Sequence, residues 1–237
     1  MIVSIHQPNY LPWMGLMHKI LESDIFIVLD DVQFVRGKNF VTRSQIKTSG
    51  GPKWITIPVH NKNDFLPINQ IKINNDIPWK DEHWNKIEQN YNKSKFFSDY
   101  GVILKNSLYN KYENISNMNI ALIQQILKIL KIEKKIQLSS ELNIEGIGLE
   151  KIVNIIKKVG GDEYLSGDGI GSLRYIQGNE RVFEENKIKL TFQKFIHPEY
   201  FQLYGEFIPK LSILDVIFNI GPENTLKKIK SYTDAPQ

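Results

Sequence analysis

The chain has 237 residues, no cysteine, 41% hydrophobic residues and a net charge of +4. That length is enough for one large domain whose core folds without staples, and the missing cysteines exclude disulfides and thiolate metal sites and fit a reducing cytoplasm. Lys and Glu alternate through most segments, so the small basic excess collects on no single face and nucleic-acid binding is disfavoured.

MIVSI (1–5) reads as a short apolar strand. WMGLMHKILES (13–23) follows, with Trp13, Leu16, Met17, Ile20 and Leu21 at helical spacing. DIFIVLD (24–30) is a β-branched run suited to a buried parallel strand. Strand, helix and strand make one right-handed βαβ unit. KWITIPV (53–59) and QIKI (70–73) add strands on either side of a polar loop around HNKND. Asp76 is the expected cap of a helix with Pro78 in its first turn, running through WKDEHWNKIEQNY. KFFSDYGVILKNSLY (95–109) is a second helix, and Ser116 opens a third, NMNIALIQQILKIL. Residues 76–133 therefore read as a mostly helical insert or subdomain. Alternation returns with IQLSSEL (136–142) as a strand, LEKIVNIIKKV (149–159) as a helix and Gly160-Gly161 as its stop. EYLSG (163–167) and KLTFQKF (189–195) are strands with a short helical stretch between them, and LSILDVIFNIG (211–221) is a helix ended by Gly-Pro. The class is α/β, a single domain over 1–237 with a mainly parallel, Rossmann-like sheet and helices on both faces. The longest apolar runs, such as IFIVL, fall short of the roughly 18–20 residues of a membrane helix. The start lacks the basic region of a signal peptide. The expectation is a cytoplasmic protein without membrane insertion.

In an open parallel sheet, ligands bind beyond the carboxyl ends of the strands, where the winding reverses. His6, Asn9 and Tyr10 follow the first strand in a loop stiffened by Pro8 and Pro12. Asp30 and Asp31 follow the second strand, where one could act as base or hold Mg²⁺; alternatively Asp31 caps a turn and only one carboxylate faces the cleft. Beside them, Gln33 leads into a segment carrying Arg36, Lys38, Arg43 and Lys47, which reads as a phosphate clamp or as a solvated basic hairpin. Ser166 and Asp168 lie after a later strand and offer a hydroxyl and a carboxylate. His197 and Tyr200 follow another, His197 as a candidate general base. The catalytic candidates are His6, Asp30 and His197; the binding candidates are Asn9, Tyr10, Asp31, Gln33, Lys38, Arg43, Ser166, Asp168 and Tyr200. No GxSxG or HExxH spacing occurs, which disfavours a hydrolase triad and a zinc site.

SIHQPNYLPWMG, SDIFIVLDDVQF, KWITIPV, YLSG and HPEY with FIPKLSILDVIFNIGPE resemble, in order, the blocks of the WbqC-like family. Thr42-Arg43 stands where members carry Asn-Arg, and DGIGS replaces small residues after YLSG. The resemblance implies a role in bacterial O-antigen or other surface-polysaccharide biosynthesis. The first strand and its His-x-Pro-Asn end are also similar to the HxGH region of nucleotidyltransferases and of ligases such as pantothenate synthetase, with Asn9 at the second histidine position. Together these likenesses imply a transferase or ATP-dependent amide-forming ligase. Its partners would be a nucleotide-linked amino sugar and an acyl or aminoacyl donor, with ATP and Mg²⁺ as the cofactor option and a homo-oligomer compatible. A non-catalytic sugar-nucleotide-binding or scaffolding protein is the alternative.

Overall fold

The computed structural model describes residues 1–35, 37–60 and 65–231, and the main chain only of Ile170. The chain divides into two compact units. Unit 1 comprises Met1–Gln7, His18–Asp31 and Lys134–Phe195; unit 2 comprises Pro8–Met17, Val32–Glu133 and Ile196–Gln237.

Unit 1 is built on five strands, β1 (Ile2–His6), β2 (Ile25–Val28), β5 (Lys135–Leu138), β6 (Glu163–Ser166) and β7 (Lys189–Phe192). They pair in the order β5-β2-β1-β6-β7, all parallel. The central strands are short, apolar and rich in Ile and Val, as strands buried on both faces require. Along β1 and β2 the period of two sends Val3, Ile5, Ile25 and Ile27 to one face. There they form a core with Val153 and Ile156 of α5 (Gly148–Lys158) and Phe183 of α7 (Arg181–Glu185). Ile176, from α6 (Ile170–Ile176), joins the same core. Ser4 points the other way and donates to Ser23 at 2.8 Å, just past the end of α1 (Met14–Glu22). Helices therefore flank both faces, and the protein is an α/β, Rossmann-like fold. The order counted outward from β1 reverses between β1 and β6, the switch point of a doubly wound sheet.

The expected stop of α5 is a left-handed glycine cap. Gly160 has φ +76°, its N–H donates to Lys157 O at 3.0 Å, and Gly161 N–H reaches Ile156 O at 2.8 Å.

Unit 2 contains a two-stranded antiparallel sheet, β3 (Arg43–Thr48) with β4 (Gly51–Thr56). Its helices are α2 (Trp79–Tyr91), α3 (Phe97–Tyr109), α4 (Ile115–Ile129) and α8 (Ile213–Lys230). Several expectations are corrected here. The strand expected at 53–59 is hairpin β4, separate from the parallel sheet. Of residues 70–73, Gln70 ends a 3-10 turn, Ile68–Gln70, and Lys72 and Ile73 make isolated bridges, because their partners Asn114 and Val59 lie on different segments. Asp76 does not cap α2, whose N-cap position is Pro78 without a side-chain bond. The cap of α4 is Asn114, accepting from Asn117 N–H at 2.8 Å, while Ser116 lies buried inside the helix. α8 breaks at Gly221, φ +79° and ψ 164°, and resumes from Pro222, so the Gly-Pro stop falls inside it. Among the described residues no helix is long and apolar enough to cross a membrane.

Candidate functional site

His6 is the last residue of β1, held by pairing with Val28 and by its carbonyl accepting from Leu29 N–H at 2.8 Å. Its Nδ1 donates to the carbonyl of Gln7 at 2.8 Å. That bond fixes the tautomer and leaves Nε2 with its lone pair. The ring is half-buried. Burial, and next the charge of Lys19, lower its pKa to about 4. His6 is therefore a neutral imidazole at pH 7.

The ladder between β1 and β6 ends at Ser4↔Leu165, whereas β1 stays paired to β2 as far as His6↔Val28. The carbonyls of Ile2 and His6 face β2, accepting from Asp24 N–H and Leu29 N–H. By the alternation of a strand, the Ile5 carbonyl faces β6. Its donor is Lys19 Nζ, at 3.0 Å. Lys19 is 2% exposed, on α1, and burial lowers its pKa to about 7. Across the switch point, Ser166 ends β6 fully buried, its Oγ donating to Gly167 O at 3.1 Å. Asp168 beyond it is exposed. Gln193, past β7, donates through its backbone to Ser166 O at 2.7 Å and through Nε2 to His18 Nδ1 at 2.9 Å.

The carboxylates after β2 are occupied. Asp30, 2% exposed, accepts from Ser140 N–H at 3.0 Å and Ser140 Oγ at 2.8 Å, and has Ser139 Oγ at 3.1 Å. Asp31 pairs with Lys151 Nζ at 2.6 Å and also meets Ser139 Oγ. The two carboxylates tie β2 to the 3-10 turn Ser139–Leu142 and to α5. This geometry assigns Asp30 to anchoring rather than to proton abstraction. It also does not suit Mg²⁺, since Lys151 already supplies the counter-ion of Asp31. Among the described residues no group of three or more His, Cys, Asp or Glu is arranged to hold a metal.

The remaining candidates belong to unit 2. Asn9 is 4% exposed, and Tyr10, 1% exposed, places its hydroxyl 3.0 Å from His83 Nδ1. Gln33 and Lys38 are exposed. Arg36 lies outside the described residues. Arg43 stacks its guanidinium over Trp54 at 3.9 Å from the ring centroid, a cation–π contact. Lys47 is 1% exposed and donates to Gln202 Oε1 at 3.0 Å and to Glu206 O at 2.5 Å. Arg43 and Lys47 open and nearly close one strand, about 13 Å apart at a strand's rise. Among the described residues, Arg43 and Lys47 of the expected clamp are thus engaged apart from each other. His197 donates from Nδ1 to Pro198 O at 3.1 Å and stacks on Trp13, with burial lowering its pKa. Tyr200 donates to Asp215 Oδ1 at 2.8 Å, and Tyr91 to Oδ2 at 2.8 Å. Burial raises the pKa of Asp215 and of both tyrosines. These hydroxyls are spent on a buried carboxylate, which gives Tyr200 a packing role.

Of the candidates named from sequence, unit 1 brings His6 and Ser166 to the switch point, with Asp168 just beyond. Sequence reasoning missed Lys19 and Gln193. The available signal for Lys19 was its place among the apolar residues of a helix that a βαβ unit must bury.

A doubly wound α/β protein with a neutral histidine and a buried lysine at its switch point is thus defined by fold and site. The model of the WbqC-like protein family matches residues 7–227, and the chain belongs to that family. It is similar to an uncharacterized protein of Mycobacterium tuberculosis, Rv1507c, with 33% identity over 223 residues, covering 93% of this chain and 94% of that one. No solved structure matches the chain.

Proposed function

We propose that the chain is a cytoplasmic enzyme of surface-polysaccharide precursor synthesis, of the O-antigen type, that transfers an acyl or aminoacyl group to the amine of a nucleotide-linked amino sugar. The observation that carries this proposal is the end of β1. A neutral histidine whose Nε2 keeps its lone pair stands at the carboxyl end of β1, just past the end of the β1–β6 ladder, where a doubly wound sheet receives nucleotides. Membership of the WbqC-like family supports the pathway. As the sugar amine attacks the acyl carbonyl, a new C–N bond forms and the amine proton passes to His6 Nε2. The bond to the donor's leaving group then breaks with its electron pair, and the imidazolium returns the proton to that group. Lys19 close by disfavours a lasting imidazolium and so favours that return.

The test is incubation with a UDP- or dTDP-linked amino sugar, together with an acyl-CoA or with a free acid and ATP·Mg²⁺, followed by mass spectrometry. An amide product is expected from wild type. Folded His6→Ala should be slower by about 10²–10³, the usual contribution of general acid–base catalysis. Product formed by that variant at the wild-type rate refutes the assignment. The lowered basicity of His6 favours a second reading, a non-catalytic sugar-nucleotide-binding or scaffolding protein. It predicts saturable binding without product from any donor.

A further inference from the structure

Lys19 is a nearly fully buried cation of unit 1 with no carboxylate beside it among the described residues. Elsewhere in unit 1, Lys151 faces Asp31 and Lys189 faces Glu163. Among the described residues Lys19 Nζ meets no carboxylate; its acceptor is the Ile5 carbonyl, which satisfies one of three N–H groups. A buried ammonium without a counter-charge is costly, which is why burial lowers the pKa of Lys19 to about 7; an anion bound beside it would relieve that cost and favour the charged form. The place is specific. The Ile5 carbonyl is the first past the end of the β1–β6 ladder, so the ammonium stands beside the end of that ladder, at the carboxyl edge of the sheet where switch-point ligands bind. His6, whose ring feels the charge of Lys19, is neutral and offers Nε2 as an acceptor only, so it neither repels an anion nor binds one by charge.

Resting on the switch-point site proposed above, we infer that Lys19 is the anion-binding group of that site and takes a phosphate oxygen of the diphosphate in a nucleotide-linked substrate. The division of labour is then clear: Lys19 holds the diphosphate and His6 faces the reacting amine. A clamp built from Lys38, Arg43 and Lys47 is not required. Lys19 acts as a point charge, which suits a diphosphate whose oxygens approach from one side.

Calorimetric titration of the full chain with inorganic pyrophosphate and with UDP-glucosamine tests this, for wild type, Lys19→Met and His6→Ala. Methionine keeps the apolar stem and removes the charge. Loss of one hydrogen bond to a charged group should weaken both ligands by about 10- to 150-fold in Lys19→Met. Equal affinity of wild type and Lys19→Met for both ligands overturns the inference; the site itself survives if His6→Ala weakens UDP-glucosamine. Pyrophosphate binding that depends on Lys19, without any binding of UDP-glucosamine, keeps the anion site and removes the amino-sugar substrate. Binding of neither ligand by wild type overturns both. Wild type with isotope-labelled lysine Cε gives a readout that needs no variant to fold. Pyrophosphate should move the Lys19 resonance, and an unmoved resonance at saturation overturns the inference.

Discussion

Asp30 offers the sharpest separation between an anchoring and a catalytic carboxylate. The side chain is buried and its two oxygens serve Ser140 N–H, Ser140 Oγ and Ser139 Oγ at 2.8–3.1 Å. Hydrogen bonds to a charged group contribute about 1.5–3 kcal/mol each, and bonds sharing one acceptor group are not additive. Asp30→Ala removes all three and leaves a buried N–H at Ser140, so a loss of about 3–5 kcal/mol is expected. Asp30→Asn keeps one carbonyl oxygen for Ser140 N–H and lets Ser140 Oγ turn to accept from the new amide. Only charge assistance is lost, about 1–2 kcal/mol. For a chain of this size each kcal/mol moves Tm by about 2–4 °C. The expected falls are therefore roughly 6–20 °C for alanine and roughly 2–8 °C for asparagine. Differential scanning fluorimetry beside nucleotide-sugar titration is the assay. Asp30→Asn should bind the sugar nucleotide as wild type does. A variant with unchanged Tm that has lost turnover would make Asp30 the base and refute the anchoring argument.

Three further outcomes follow from other parts of the structure. The pKa of buried His18 and His83, like that of His6, is lowered to about 4, so between pH 6.5 and 4 the unfolded chain binds protons that the folded chain does not. Stability should therefore fall on acidification through that window and be complete above it, as Tm against pH will report; a flat profile from pH 7 to pH 5 contradicts it. Gly221→Ala places a Cβ 2.8–3.0 Å from the Phe96 ring at φ +79°, in backbone space open to glycine almost alone, and should cost about 2–4 kcal/mol in urea unfolding. Tyr200→Phe removes one of the two hydroxyls on buried Asp215 and should cost about 1.5–3 kcal/mol while sugar-nucleotide binding is unchanged; lost binding at normal Tm would return Tyr200 to the ligand.

The alternation of strand and helix in the first and last thirds was legible in the residues, because short apolar β-branched runs and helical spacing are local properties. So was the stop at Gly160, where backbone conformation depends on the residue itself; at Gly221-Pro222 the same local signal marked a break, but the helix resumes beyond it. His6 was legible as a strand-end residue for the same reason. Pairing was not local: β1 joins β6 across some 160 residues of chain, and only that union makes the end of β1 a switch point. Nor was the hairpin of β3 and β4 separable by pattern from strands of the main sheet. The charges were read least well from sequence, since the state and use of an ionisable group are set by what surrounds it. Two serines from a distant strand end occupy Asp30, and Asp215 takes the hydroxyl of Tyr200. Burial turns Lys19 from a solvated cation into a nearly enclosed one. Sequence determined where the chain turns and which face of each element is apolar, because those depend on neighbours along the chain. Only the tertiary structure decided which polar groups meet, because burial and partnership are made by residues far apart in sequence.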